Sequence, residues 1–229
     1  MKSLILSIFV ILCLVFVNGC VNVDQKTTLK EDGSGSIKLH YWTSMKNLSM
    51  GDEIGGFSFS ESGVKTNYTA TGIEPSDIKV TENTDDSTKH VNLTVDFKDF
   101  NKLSDAKGFA KSKQTWAKGK DGMDFKYTLL KDTANAGGMG MEEFKLNYEF
   151  TMPGEVIVTN ATSKDGMTLK WSKTVADLKD DVNMTATVKG GSSGKKCGLF
   201  GMELPVIVFF GLMFGYTVRK RNSKKNNKA

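Results

Sequence analysis

Apolar and polar residues alternate along most of the segment from residue 21 to residue 188, which is the period of half-buried β-strands. Two alternating runs, residues 21–29 and 37–43, flank an Asp32-Gly33 pair. Because Asp-Gly favours a tight turn between paired strands, these runs predict a first β-hairpin. Three further pairs separate later runs: Asp121-Gly122, Pro153-Gly154 and Asp165-Gly166. The pattern predicts roughly eight to ten strands in a mainly antiparallel sheet.

Helical spacing interrupts this alternation in two places. Apolar residues recur at helical intervals from Phe100 to Ala110, and either Asp99 or Asn101 is a suitable cap for that helix. A shorter helical turn is indicated after Ser60. Together with the strands, these segments predict an α+β domain with one or two helices.

The longest apolar stretch of the chain lies near its C-terminus. Residues 198–218 contain one charged side chain, Glu203, and a helix of about 20 residues crosses the ~30 Å hydrocarbon core of a bilayer. The basic segment 219–229, which has no acidic residue, follows at once. Because basic flanks stay in the cytoplasm, the pattern predicts a single-pass C-terminal transmembrane helix, a cytoplasmic tail and an exported domain.

The N-terminus has the pattern of a secretory signal. Lys2 precedes an apolar run that ends before Cys20 and is too short to span a membrane comfortably. Residues 17–20, Val-Asn-Gly-Cys, resemble the lipobox of a bacterial lipoprotein signal. The resemblance implies that residues 1–19 are removed and that the Cys20 sulfur carries a diacylglycerol with acyl chains of the palmitate type. An ordinary cleaved signal and an uncleaved signal anchor are the alternatives.

The remaining boundaries follow from composition. Residues 20–189 make one extracytoplasmic domain, large enough to bury a core. Residues 190–197 form a Gly/Ser-rich linker that spans about 16 Å as a flexible chain. Once the signal is removed, Cys20 and Cys197 are the cysteines that remain, so no disulfide framework is expected. Anchored at both ends, the domain would stay close to the outer face of the plasma (inner) membrane.

The net charge of +5 follows from this topology. Between Val21 and Gly194 there are 22 lysines and 25 acidic residues, a net charge of −3, so the basic excess lies in the flanking segments. The exported domain has no basic stripe with interleaved aromatic residues, which excludes nucleic acid as a partner class.

Residues that could support catalysis are few. His40 and His90 are both expected on strands, without the partner spacing of a zinc site, so no metal site is predicted. Three adjacent acidic pairs fall at expected turns and are interpreted as solvated: Asp85-Asp86, Glu142-Glu143 and Asp180-Asp181. The sequence therefore predicts no catalytic residue, no cofactor and no enzyme activity. A hydrolase built on His90 and a cluster of acids is the alternative.

Two groups of residues are candidates for contact with a ligand. Five aromatic residues on strands could line a pocket, although such residues more often form the core: Trp116, Phe125, Tyr127, Tyr148 and Trp171. The Gly- and Met-rich segment 137–141 lacks the Gly-Lys-Ser/Thr of a phosphate loop and is interpreted as a flexible loop. Its methionines are alternatively a soft lid over an apolar ligand, or a contact to the bilayer.

Three segments resemble the LppM-type domain of bacterial lipoproteins. They are GCVNVDQKTTLKEDGSGSIKL after the lipobox, VNLTVDFKDFNKLSDAKGF, and MPGEVIVTNATSKDGMTLKWSKTVADL. The third is the most specific, with Pro-Gly-x-Val, an Asn, and then Gly-x-Thr-x-x-Trp. The resemblance covers essentially the whole exported domain. It implies a small α+β envelope module on a lipid anchor, with hydrophobic or lipid-like ligands, and it supplies no catalytic residues.

The sequence thus predicts a membrane-anchored envelope lipoprotein whose domain binds a hydrophobic or lipid-like ligand near the membrane surface. The expected partners are the membrane and such a ligand, or a protein of the envelope. The alternative is an envelope scaffold that acts through a contact surface and has no small-molecule ligand.

Overall fold

The computed structural model describes residues 21–138 and 140–189. These residues form a seven-stranded sheet, a four-stranded sheet and a two-stranded hairpin. In chain order the strands are β1 (Asn22–Leu29), β2 (Gly35–Ser44), β3 (Glu53–Ile54), β4 (Phe57–Ser58), β5 (Ile73–Asn83), β6 (Thr88–Phe97), β7 (Ser112–Lys118), β8 (Met123–Leu129), β9 (Lys145–Thr151), β10 (Val156–Thr159), β11 (Ser163–Asp165), β12 (Thr168–Thr174) and β13 (Val182–Val188).

Helices are short in the described part of the chain. Two are α-helices, α1 (Glu61–Asn67) and α2 (Thr133–Ala136). The others are 3₁₀-helices at Met45–Leu48, Phe100–Asp105, Lys107–Phe109, Met141–Glu143 and Val175–Lys179. The fold is therefore mostly antiparallel β-structure with few helices, which confirms the predicted α+β class.

The strands divide into two main sheets, whereas the sequence predicts one. The larger sheet has the order β11-β12-β9-β1-β2-β6-β5, and the smaller has the order β10-β13-β8-β7. In the larger sheet β1 pairs with β9 in parallel, while the other pairs are antiparallel. Alternation along a strand shows which residues face inward but not which sheet receives the strand, and this is why the prediction was wrong on this point.

Three of the four predicted turns form hairpins. Asp32-Gly33 joins β1 to β2, with the Asp32 Oδ1 atom accepting a hydrogen bond of 2.9 Å from the Ser34 N–H. Gly33 has φ of +83°, a left-handed conformation that glycine adopts without strain. Asp121-Gly122 joins β7 to β8, and Asp165-Gly166 joins β11 to β12.

Pro153-Gly154 does not form a hairpin. It leads from β9 in the larger sheet to β10, which pairs with β13 in the smaller sheet. A Cβ atom at Gly154 would lie 2.8 Å from the Lys189 carbonyl oxygen, so the chain crosses between the sheets close to the end of β13. The prediction of a turn at Pro153-Gly154 is correct, but the prediction that this turn joins two paired strands is wrong.

The predicted helix after Asp99 is replaced by two 3₁₀-helices, Phe100–Asp105 and Lys107–Phe109. Ala106 separates them in an extended conformation, with φ of −84° and ψ of 132°. The expected cap is correct, since the Asp99 side chain accepts a hydrogen bond from the Asn101 N–H. The predicted turn after Ser60 is α1, whose first turn is capped by the Ser60 hydroxyl.

The two main sheets pack against each other through aromatic rings. Phe125 of β8 lies 4.8 Å from Phe150 of β9 between ring centroids, and 6.1 Å from Trp171 of β12. Phe100 adds a further ring, 5.5 Å from Phe125. At the same end, the Trp116 indole N–H donates to the Glu31 carbonyl oxygen across the β1–β2 turn. We call this end of the domain the closed end. The opposite end, where β1 begins, is called the open end.

Several predicted features lie outside the described residues. These are the signal peptide 1–19, Cys20, the transmembrane helix 198–218 and the tail 219–229, together with the linker 190–197. Within residues 21–138 and 140–189, none of the helices is long and apolar enough to span a bilayer.

Candidate functional site

An apolar cavity of about 330 Å³ lies between the two main sheets at the open end. Its walls come from β1, β2 and β9 of the larger sheet and from β7 and β8 of the smaller one. The apolar side chains that line it are Val21, Val23, Leu39, Ile54, Phe57, Phe109, Ala110, Leu129, Leu130, Leu146, Val175 and Leu178. The volume is at the lower end of the ~300–1,000 Å³ typical of ligand sites.

A change from aromatic to aliphatic side chains along two facing strands creates this cavity. From the closed end towards the open end, the inward residues of β8 are Phe125, Tyr127 and Leu129. Those of β9, read in the same direction, are Phe150, Tyr148 and Leu146. Because leucines replace the aromatic rings at the open end of both strands, the rings fill the space at the closed end and the space at the open end stays unfilled.

The deep end of the cavity, which we call the floor, is polar. Tyr127 and Tyr148 face each other there, with ring centroids 5.6 Å apart, and Gln25 and Ser112 lie beside them. Burial raises the pKa of Tyr127 to about 12, although hydrogen bonds from Ser112, Gln114 and Gln25 oppose the rise. Burial also raises the pKa of Tyr148 well above its usual value. The floor is therefore a neutral hydrogen-bonding surface at physiological pH.

Tyr68, which follows α1, closes one side of the cavity. It is fully buried, and its ring packs edge-on against Phe109 with centroids 5.2 Å apart. The ring fits because Gly108 has no side chain: a Cβ atom there would lie 2.3 Å from the Tyr68 Cε1 atom. Among the described residues, nothing accepts or donates a hydrogen bond at the Tyr68 hydroxyl.

Two ion pairs stand at the mouth of the cavity. Lys107 Nζ lies 2.9 Å from Glu53 Oε1, and Lys111 Nζ lies 2.7 Å from Asp132 Oδ2. Burial alone would raise the pKa of Asp132, but hydrogen bonds from Lys111 and Asn135 more than offset it and lower that pKa. Charge is thus confined to the mouth, where water screens it.

The β3–β4 hairpin covers part of the mouth. Its turn, Gly55-Gly56, has φ values of +59° and +97°, which glycine alone adopts readily in succession. Ile54 and Phe57, at the ends of the two short strands, line the cavity. Lys107 ties the hairpin to the adjacent 3₁₀-helix through its ion pair with Glu53.

The five aromatic candidates divide between the cavity and the core. Tyr127 and Tyr148 line the cavity, while Trp116, Phe125 and Trp171 belong to the core at the closed end. Of the proposed methionine lid, Met141 is buried in the core and does not line the cavity, and Met139 lies outside the described residues.

His40 and His90 meet on the outer face of the larger sheet. His40 Nε2 lies 3.1 Å from His90 Nδ1, and both rings stack with Trp42. The His90 Nε2 atom contacts the Thr88 hydroxyl at 2.7 Å, and His40 Nδ1 is 3.9 Å from the Asp24 carboxylate. Within the described ranges, no group of three or more His, Cys, Asp or Glu side chains could hold a metal ion.

The acidic pairs occupy turns or short helical segments. Asp86 accepts from the Thr88 N–H in the β5–β6 turn, and Asp181 accepts from the Lys131 N–H at 2.8 Å. Glu142 and Glu143 belong to a 3₁₀-helix. Asp86 and Asp181 thus satisfy backbone N–H groups, and none of the six acidic residues lines the cavity.

Sequence reasoning missed Gln25, Ser112 and Tyr68. A usable signal existed for the first two, because each is a polar residue at an inward position of an alternating strand. A buried polar side chain between apolar neighbours requires a partner inside the domain. Tyr68 gave no such signal, since it lies between α1 and β5 and reaches the cavity only through tertiary packing.

Comparisons with known proteins give a structural likeness but no match in sequence. No family model matches the sequence. No curated protein matches it either. The structure is similar to the NMR structure of the Mycobacterium tuberculosis LppM protein folded domain, with a TM-score of 0.45 and 15% sequence identity over 75% of this chain and 91% of that chain. That domain is of the type that the three sequence segments resemble.

Proposed function

We propose that the domain binds a hydrophobic or lipid-like ligand in the cavity at its open end. The observation that carries this proposal is the 330 Å³ of unfilled space, walled by apolar side chains and ending on a polar floor. A domain of this size normally fills its core to crystal-like density, so leaving such a space unfilled costs stability. An apolar ligand in the space recovers the lost contacts.

We further propose that the protein is an envelope lipoprotein, with Cys20 as its lipidated residue. The position of the next residue supports this arrangement, because Val21 lines the cavity at the open end. Asn22 fixes the start of β1 there by accepting a hydrogen bond of 2.9 Å from the Lys145 N–H. A lipid on Cys20 would therefore hold the mouth of the cavity close to the bilayer, which is a source of apolar ligands.

The second anchor would leave the domain at the opposite end. Lys189 bonds to Glu155 beside the closed end, and the eight residues of β1 separate the two ends by about 25 Å at ~3.3 Å per residue. The eight residues 190–197 reach about 28 Å when fully extended at ~3.5 Å per residue, so as an extended chain they would cross this distance to the transmembrane helix 198–218. In this arrangement the tail 219–229 is cytoplasmic. Cleavage of that tail by protease added outside sealed cells would contradict the topology.

We propose a non-enzymatic role for the cavity. The charged residues that line it are Lys107, Lys111 and Asp132, and all three lie at the mouth in ion pairs. The buried tyrosines have raised pKa values and stay protonated at neutral pH. General acid–base catalysis works best with groups that titrate near the working pH, so these residues favour binding over chemistry.

The ligand is tested by lipid analysis of the purified full chain, comparing wild type with Val175→Trp. Val175 lines the cavity from the 3₁₀-helix at its rim, so an indole there occupies part of the space. The neighbouring Ala176 does not line the cavity, and Ala176→Trp is the matched control. We expect wild type and Ala176→Trp to carry co-purifying lipid and Val175→Trp to carry less. Equal lipid in all three proteins would contradict binding in the cavity.

A scaffold role has one observation in its favour. Ile157 and Val158 on β10, an edge strand of the smaller sheet, are 48% and 64% exposed. Exposed apolar residues on an edge strand are typical of a protein contact. Crosslinking from this strand in intact cells distinguishes the two roles, because a scaffold should give one recurrent envelope protein as its partner.

A further inference from the structure

The hydroxyl of Tyr68 is a buried hydrogen-bonding group with no partner in the described part of the protein. Buried polar groups in folded proteins are nearly always bonded, because an unpaired one loses its hydration without compensation. Tyr68 is also a lining residue of the cavity, so its surroundings include the space that a ligand would fill. By contrast, the buried Tyr41 hydroxyl, which lies outside the lining, donates to the Ser58 carbonyl oxygen.

The surroundings of this hydroxyl restrict the charge of a possible partner. Tyr68, Tyr127 and Tyr148 all line the cavity, and burial raises the pKa of each, so these three phenols are neutral at physiological pH. Among the described lining residues, positive charge is found at Lys107 and Lys111, both at the mouth and both already paired with an acid. An anionic group placed at the floor would be desolvated without a cation nearby, which is costly.

We propose that the ligand is a single-chain amphiphile that buries an uncharged oxygen-bearing group, such as a hydroxyl, against Tyr68. The Tyr68 O–H donates to that oxygen, and the hydrocarbon chain extends past the apolar walls towards the mouth. This inference rests on the proposed function. It adds the chemical class of the ligand and its orientation in the cavity, with the polar group at Tyr68 and the chain towards the mouth. The 330 Å³ of space suits one chain, since it is near the minimum for a ligand site.

The experiment uses the full chain in phosphatidylcholine nanodiscs and three probes that each carry a mid-chain diazirine. The probes are a long-chain alcohol, a hydrocarbon of equal length and the corresponding fatty acid at neutral pH. After irradiation, mass spectrometry measures the label on peptides that line the cavity. We expect the alcohol to label these peptides about fivefold more than the hydrocarbon, as one buried hydrogen bond would give, and the anionic fatty acid to label them least.

Tyr68→Phe removes only the hydroxyl, so it should bring the alcohol down to the level of the hydrocarbon while leaving labelling by the hydrocarbon unchanged. The matched control is Tyr41→Phe, which should retain the preference for the alcohol. Equal labelling of wild type by alcohol and hydrocarbon would overturn the inference, since a trapped water would then satisfy Tyr68. Strongest labelling by the fatty acid would also overturn it. Failure of all three probes to label the cavity would instead overturn the proposed function.

Discussion

The indole N–H of Trp171 donates a hydrogen bond of 2.9 Å to the side-chain oxygen of Asn160. The same oxygen accepts from the Thr185 N–H at 2.8 Å, and the Asn160 amide donates to the Asn183 carbonyl oxygen at 2.8 Å. Trp171 belongs to the larger sheet and Thr185 to the smaller one. Asn160 therefore links the two sheets, and it lies in the sequence segment that carries the most specific part of the LppM-type resemblance.

Asn160→Ala should destabilise the exported domain by about 1–3 kcal/mol, because the buried Trp171 N–H would lose its acceptor. Asn160→Asp keeps an acceptor oxygen and should cost less. Chemical denaturation followed by tryptophan fluorescence measures both variants. A loss below about 0.5 kcal/mol for the alanine variant, the usual range for a surface substitution, would show that the link between the sheets is unimportant.

Gly108→Ala should both destabilise the domain and reduce ligand binding. The added methyl group would lie 2.3 Å from the Tyr68 ring, so that ring must move and the cavity wall with it. Overpacking of this kind typically costs about 1–3 kcal/mol. Gly137→Ala is the control, because the nearest atom to its Cβ is 3.6 Å away. Thermal unfolding and lipid content should change for the first variant and stay close to wild type for the second.

Acidification should weaken the fold through His40. Burial, followed by the charge of His90, lowers the pKa of His40 below 6.5, although Asp24 opposes the shift. The unfolded chain therefore binds a proton at a higher pH than the folded one, and stability falls as the pH drops below about 6.5. The free energy of unfolding at about pH 7.5 and 5.5 measures the loss. His40→Gln should reduce the difference between the two pH values, and an unchanged difference would contradict the assignment.

Cys20→Ala should remove the acyl mass from the mature protein and block lipoprotein-type processing. Intact mass spectrometry of membrane-extracted protein measures both effects. Cys197→Ala is the control, because its side chain is not part of the lipobox-like segment and the acyl mass should persist. An unchanged mass and unchanged processing of the Cys20 variant would contradict lipidation at this residue.

Much of the local structure could be predicted from the pattern of residues. Alternation located nearly every long strand, and the Asp-Gly pairs at 32, 121 and 165 located three hairpins. The helix expected after Asp99 was wrong, because the domain needs an extended residue at Ala106 and a glycine at 108 beside Tyr68. The spacing of apolar residues along the chain does not show which residues must pack against distant parts of the fold.

The candidate site was less accessible to prediction. Tyr127 and Tyr148 were among the aromatic candidates, but nothing in their spacing separated them from Phe125 and Trp171, which fill the core. Tyr127 and Tyr148 differ from the core residues in their position along the strands, nearer the open end. That position places them at a cavity only because β8 faces β9 across the domain.

The sequence by itself determined the properties that depend on neighbouring residues: strand periodicity, hairpin turns, helix caps and the charge difference between the domain and its flanks. Only the tertiary structure decided which sheet each strand joins, where the cavity lies, and that Tyr68 reaches it without a partner. The reason is physical. Periodicity and turn preference arise from contacts within a few residues, whereas a cavity is the space left between side chains that are distant in sequence.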